Sequence, residues 1–263
     1  MIVKDKVIIV SGIGPGLGIK LAIEAAREGA RIAVAARTQA NLDEAEHRMR
    51  EVAPNCEVLK QPTDILDRGQ CKRLAGTTMA RFGRVDGLIN SAYFHGNFSS
   101  IAESDLDVLS KTVDTNLIGT LNLTQETIPA MKQGGGGAIV MINTMSTRQA
   151  RSSSEAAYAA SKGALMVAAK YLALDLGPSN IRVNTLLPGW MWGVPVQTYV
   201  KQAAAAEKVP EEAIIARITA NIPLRRIVKD EECARAALFL VSDYASGITG
   251  AQLDANGGQF MAC

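Results

Sequence analysis

The chain has 263 residues, 48% hydrophobic and 21% charged, the balance of a soluble globular protein long enough to bury a core without disulfides. The net charge of +2 gives no reason to expect a nucleic-acid partner. The four cysteines (Cys56, Cys71, Cys233, Cys263) lack metal-like spacing, two histidines are too few for zinc or iron, and no apolar run approaches a membrane span. A metal-free protein of the reduced cytoplasm, away from membranes, is expected.

After Met1–Lys6, too charged for a signal peptide, short β-branched runs alternate with longer helical stretches. Strands are predicted at Val7–Ser11, Arg31–Ala36, Glu57–Gln61, Gly87–Asn90, Ala138–Ile142 and Arg182–Leu187, with a short last one at Gln252–Asp254. Amphipathic segments such as Ile19–Glu28 and Asn41–Val52 lie between them. This alternation predicts an α/β fold, a single doubly wound parallel sheet with helices on both faces. Most of the strands are near-continuous apolar runs, as buried parallel strands are. No break in composition marks a second domain, so residues 1–263 read as one. Residues 190–215, rich in Trp, Pro and Ala, read as an inserted substrate flap or helical lid.

The first strand runs directly into Gly12-Ile13-Gly14-Pro15-Gly16-Leu17-Gly18 and then a helix. Glycines at such a turn let the backbone approach a pyrophosphate, and the helix start offers free N–H groups to it. This placement points to a Rossmann-type dinucleotide site. The second strand ends at Ala36-Arg37-Thr38. An acid here would bind ribose hydroxyls; Arg37 instead offers a fork suited to a 2′-phosphate, which favours NADP while leaving NAD possible.

Tyr158 and Lys162 are four residues apart and share a helix face, with Ser146 twelve residues before Tyr158. An ammonium beside a phenol is expected to lower the phenol's pKa, giving a proton donor and acceptor near neutral pH. A serine hydroxyl nearby can hold a substrate oxygen.

Together these motifs resemble the short-chain dehydrogenase/reductase family in its common 250-residue form. The resemblance runs from Val7 to Gly258. Ser11-Gly12-x-x-x-Gly16-x-Gly18 is similar to the family's cofactor loop, and Asp64-Ile65 to its adenine-contacting pair. Asn90-Ser91-Ala92 resembles the strand end Asn-Asn-Ala-Gly, with Ser91 and Tyr93 replacing Asn and Gly. Asn116 stands where the family has its active-site asparagine, Ser146 where it has its catalytic serine. Pro188-Gly189 resembles the strand end beside nicotinamide, and Thr249-Gly250 and Asn256-Gly257-Gly258 match its C-terminal elements. The family often has Thr four residues after that Gly; here that place is Gly193, so the nicotinamide carboxamide contact must come from backbone or elsewhere.

The resemblance implies hydride transfer between a nicotinamide and a carbon bearing oxygen. Tyr158 would be the general acid and base, and Lys162 would lower its pKa and hold ribose hydroxyls. Ser146 would orient the substrate oxygen, and Asn116 would place a water between Lys162 and solvent. Enoyl reductase variants separate Tyr from Lys by six residues, which would put lysine at Leu165; ketone/alcohol chemistry is therefore expected. Tyr93, Met145, Trp190 and Trp192 are the candidate substrate contacts, with Phe94 and Met191 also near the cleft, and suit a hydrophobic small molecule. Arg148 and Arg151 border the same loop and are free to meet an anionic group or water. Glu155 reads as a helix-start acid; His95, in the loop after Asn90, can face substrate or the loop surface and is left out of the site. The family implies a homotetramer or homodimer. The alternative is an NADP(H)-binding regulator or redox sensor without turnover.

Overall fold

Val7–Ser11 (β1), Arg31–Ala36 (β2), Val58–Pro62 (β3), Gly87–Asn90 (β4), Gly137–Ile142 (β5), Ile181–Pro188 (β6) and Gln252–Ala255 (β7) form one sheet. The computed structural model describes residues 1–103, 105–150 and 152–261. Strand order is β3-β2-β1-β4-β5-β6-β7 and every pairing is parallel. Every expected strand is present, with ends displaced by at most one residue. Order reverses between β1 and β4, where the carboxyl ends of an open α/β sheet leave a crevice.

The helices are Leu17–Arg27 (α1), Gln39–Val52 (α2), Arg68–Phe82 (α3), Leu106–Val113 (α4), Thr120–Gln133 (α5), Ala156–Leu176 (α6), Val194–Glu207 (α7), Glu211–Thr219 (α8) and Asp230–Val241 (α9). Side-chain alternation along β1 explains the two-sided packing. Ile8 and Val10 join Leu21, Leu42 and Leu238 of α1, α2 and α9 on one face. Ile9 joins Leu74, Leu123 and Leu165 of α3, α5 and α6 on the other. Each fully buried leucine contributes about 1.5–3 kcal/mol, so both helical layers are held firmly to the sheet that carries the loops.

Two departures from regular helix and loop position the site. A π-helical turn, Asp114–Gly119, joins α4 to α5 and buries Asn116 completely; such turns widen a helix locally and recur at functional sites. The segment expected as a flap at 190–215 is helical, forming α7 and α8, and continues to Thr219. The pair closes on its own apolar cluster of Val200, Ala204 and Ile214. Among the described residues no helix is long and apolar enough to cross a membrane, and no cluster of His, Cys, Asp or Glu suits a metal ion. Cys263 lies outside the described residues.

Candidate active site

The carboxyl ends of β1, β5 and β6 open onto a cavity of about 510 Å³. The glycine loop forms one wall. Gly12 has φ +81°, and a Cβ there would lie 2.2 Å from the Ala92 nitrogen. One at Gly18 would lie 2.1 Å from the Gly12 oxygen. These two glycines let the loop pack against the end of β4 and against itself. At Gly14 and Gly16 a Cβ would meet nothing within 4 Å, so the open face of the loop belongs to them. Leu17 begins α1, which has neither a side-chain cap nor an acid in its first turn. Its free N–H groups and positive dipole end suit a phosphate.

A second cavity of about 240 Å³ adjoins the first through Gly12, Ser91 and Tyr93. Arg37, Asp64, Ile65 and Ala92 line it, with Arg37 exposed at its rim. The Leu66 N–H donates to the Asp64 carboxylate at 3.0 Å, which fixes that turn. Asn90 and Pro188 are buried beneath the lining; Asn90 donates to Thr124 Oγ1 at 3.1 Å. Gly189 reaches the main cavity, and its missing Cβ would lie 2.8 Å from the Asn256 Cβ.

Ser146, Tyr158 and Lys162 line the main cavity together. Ser146 sits in a short 3₁₀ turn after β5, where Thr144 Oγ1 accepts from its N–H at 3.2 Å. Tyr158 and Lys162 both rise from α6, with the Lys162 nitrogen 6.0 Å from the phenol ring centre. Lys162 is 2% exposed and donates to the Ile142 carbonyl at 2.8 Å. Burial pushes its ammonium down to about 7. Burial also pushes the Tyr158 phenol up, with Tyr93 and Glu155 adding to the rise and Thr144 opposing it. The expected lowering of the phenol by the ammonium is thus outweighed by desolvation of both groups in the protein alone.

Asn116 stands behind this wall. Its amide donates to the Phe94 carbonyl and to Ser161 Oγ, each at 2.9 Å, and accepts from the Phe94 N–H at 2.8 Å. Ser161 in turn donates to the Tyr158 carbonyl at 2.8 Å. Both amide hydrogens are used, so the side chain clamps the loop after β4 to α6.

Tyr93, Met145 and Trp190 line the main cavity, but Trp192 does not. Trp192 packs on the α7–α8 cluster instead, its N–H bonded to the Val228 carbonyl at 2.8 Å, which removes it from the candidate substrate contacts. Arg148 is paired with Asp254 at 3.3 Å and lies over the Phe260 ring, so it is no free anion receptor. Arg151 lies outside the described residues.

Three titratable residues of the cavity were not among the expected site residues. Glu155 accepts from the Ser146 hydroxyl at 2.7 Å. His95 stacks on the Tyr158 ring at 4.7 Å and 18°, and its Nδ1 is buried without a partner; burial pushes the imidazole down, opposed by Glu155. Asp230, at the start of α9, is 3% exposed, and its Oδ1 also lacks a partner. Only the departure at Gly193 pointed toward Asp230 in the sequence.

The open face at Gly14 and Gly16, the uncapped start of α1 and the orphaned acceptors fit a dinucleotide with a polar nicotinamide end. The comparisons agree. The family model described as Enoyl-(Acyl carrier protein) reductase matches residues 12–259. Levodione reductase of Leifsonia aquatica is 30% identical over 259 residues, covering 98% of this chain and 95% of the relative. The crystal structure of levodione reductase matches with a TM-score of 0.90 at 27% identity, covering 97% of this chain and 98% of that one. NAD⁺-bound xylitol dehydrogenase gives 0.88 at 27% identity, covering 97% and 99%. A variant actinorhodin polyketide ketoreductase with NADPH gives 0.88 at 29% identity, covering 97% of each chain. The chain belongs to the short-chain dehydrogenase/reductase family, and its relatives support an NAD(P)-dependent oxidoreductase acting on CH–OH groups. One structural neighbour carries NAD⁺ and another NADPH.

Proposed function

We propose that this protein interconverts a ketone and a secondary alcohol, with Tyr158 as the proton donor and acceptor. The observation that carries the reading is the meeting of Ser146, Tyr158 and Lys162 on one wall of a cavity whose other wall is the glycine loop. Gly14, Gly16, Leu17 and the α1 start would hold the pyrophosphate. Asp64, Ile65 and Ala92 would enclose the adenosine, and Arg37 would meet a 2′-phosphate, which supports NADP. Lys162 and Gly189 would border the nicotinamide ribose. When bound, the nicotinamide gives or takes a hydride at the substrate carbon.

In reduction, Tyr158 gives its proton to the carbonyl oxygen as the carbon accepts hydride; in oxidation it takes the hydroxyl proton back. The raised phenol keeps that proton in place before reaction. Positive charge brought near by an oxidised cofactor and by protonated Lys162 would favour its release. Ser146 orients the oxygen and stabilises charge as it forms. Asn116 positions α6 and the loop bearing Tyr93.

Met145, Trp190, Met191, Pro195 and Val196 give the cavity an apolar side, while His95, Ser152 and Glu155 give it a polar one. An apolar substrate bearing a hydrogen-bond donor near the reacting carbon fits both. Val167, Tyr171 and Leu174 form an exposed apolar face on α6, which supports assembly as a homodimer or homotetramer, expected in the cytoplasm.

The test is a turnover screen of cyclic ketones, hydroxyketones and their alcohols with NADP(H) and NAD(H). Turnover of at least one pair is expected. Tight dinucleotide binding without turnover on any of them would favour a regulator or redox sensor instead.

A further inference from the structure

We infer that the Asp230 carboxylate anchors the nicotinamide end of the cofactor, taking the place of a side chain at position 193 and favouring the oxidised form. The inference rests on the nicotinamide reading above.

Geometry leaves position 193 no side chain. A Cβ on Gly193 would lie 2.3 Å from Asp230 Oδ2 and 2.9 Å from Oδ1. The carboxylate therefore fills the volume in which the family often carries a threonine hydroxyl. Asp230 lines the main cavity with Gly12, Ile142, Lys162 and Gly189, and lines a neighbouring one with Lys20, Trp192 and Glu231, so it stands between the two.

An acid in the first turn of a helix is ordinarily explained by the helix dipole at an exposed surface. Asp230 departs from that pattern because it is 3% exposed and keeps one oxygen unpartnered. Its charged neighbours do not satisfy it. Lys20, held by Glu231 at 2.7 Å, only partly offsets the burial of Asp230, Glu231 repels it, and Tyr93 is a further titratable group within its electrostatic reach. Burial accordingly pushes the Asp230 carboxyl up. A buried acceptor left unpaired is costly until a ligand supplies a donor or positive charge. A nicotinamide carboxamide supplies an N–H in both redox states. The ring supplies positive charge only when oxidised. Asp230 thus binds both forms but gains more from the oxidised one, which biases the site toward alcohol oxidation.

Equilibrium titration separates the two contributions. Wild type, Asp230→Asn and Asp230→Ala are titrated with the oxidised dinucleotide, the reduced dinucleotide, the 3-acetylpyridine analogue of the oxidised form, and the matching ADP-ribose fragment. Asp230→Asn removes the charge, and should weaken the oxidised form about tenfold or more while changing the reduced form less than about threefold. Asp230→Ala removes the acceptor, and should abolish the wild-type preference for carboxamide over acetylpyridine. ADP-ribose affinity should stay unchanged in both, which also reports an intact fold. Equal effects on oxidised and reduced forms, or a loss shared by ADP-ribose, would overturn the inference while leaving the cofactor assignment intact. Wild-type protein that binds no dinucleotide would overturn both.

Discussion

The Ser146 hydroxyl donates to the Glu155 carboxylate at 2.7 Å, across the mouth of α6. With its proton directed at an acceptor-only group, Ser146 presents a lone pair to the cavity. The reacting hydroxyl's one proton goes to Tyr158, so that lone pair suits a second donor on the substrate, and the serine proton turns from Glu155 to the substrate oxygen as charge forms there. Glu155 therefore sets the orientation of the Ser146 hydroxyl for both directions of reaction. Glu155→Gln should reduce kcat/KM for alcohol oxidation and for ketone reduction alike by about tenfold or more, the scale of a hydrogen bond to a charged group. Steady-state kinetics in both directions checks this, and unchanged values would contradict it.

The glycine loop separates packing from binding at neighbouring positions. Gly12→Ala adds a Cβ 2.2 Å from the Ala92 backbone at φ +81°. It should cost about 1–3 kcal/mol or more in stability, visible as a clear fall in Tm. Gly16→Ala meets nothing within 4 Å. It should leave Tm nearly unchanged and weaken dinucleotide affinity, because the added methyl stands on the open face of the loop. Thermal melts and titration of both variants decide, and a reversed pattern would mean the loop is oriented otherwise.

Lys162 predicts a pH-dependent stability. Its folded-state value is pushed down to about 7, against about 10.4 for an unfolded lysine. Below the folded value both states hold the proton, and the cost of burying the ammonium is felt in full. Between the two values the unfolded chain holds a proton that the folded one has released, so this group's contribution to stability rises with pH. Lys162→Met removes the charge and also the bond to Ile142. Its Tm relative to wild type should be more favourable at pH 6 than at about pH 9.5, with turnover lost at both. A Tm difference that does not vary with pH would sink the prediction.

The NADP reading rests on Arg37. Arg37→Ala should weaken NADPH about tenfold or more, as the loss of a charged hydrogen bond does, and leave NADH within about threefold. Comparable losses for both would mean that Arg37 stacks on the adenine and recognises no phosphate.

The sheet was legible because β1, β2, β4 and β5 are apolar runs buried on both faces, and such runs admit few other assignments. Gly12–Gly18, Ser146, Tyr158 and Lys162 were legible because each motif is local and the fold brings their elements to one crevice. Glu155, His95 and Asp230 were not. Their side chains are ordinary for a helix start or a loop, and only packing carries them to the cavity. Trp192 failed for the same reason: an aromatic beside Pro188-Gly189 suits either a substrate wall or the α7–α8 cluster, and only tertiary packing decides. Asn116 was placed by its motif, but the hydrogen bonds that turn it toward Phe94 and Ser161 depend on the π turn.

The central claim is that Tyr158 moves the proton. Single-turnover oxidation of a saturating alcohol substrate by wild type and Tyr158→Phe, with dinucleotide affinity measured alongside, tests it most directly. The account predicts a fall in rate of about 10²–10⁴-fold, the usual share of general acid–base catalysis, with affinity within about threefold of wild type. A variant that keeps its rate while still binding the dinucleotide would contradict it.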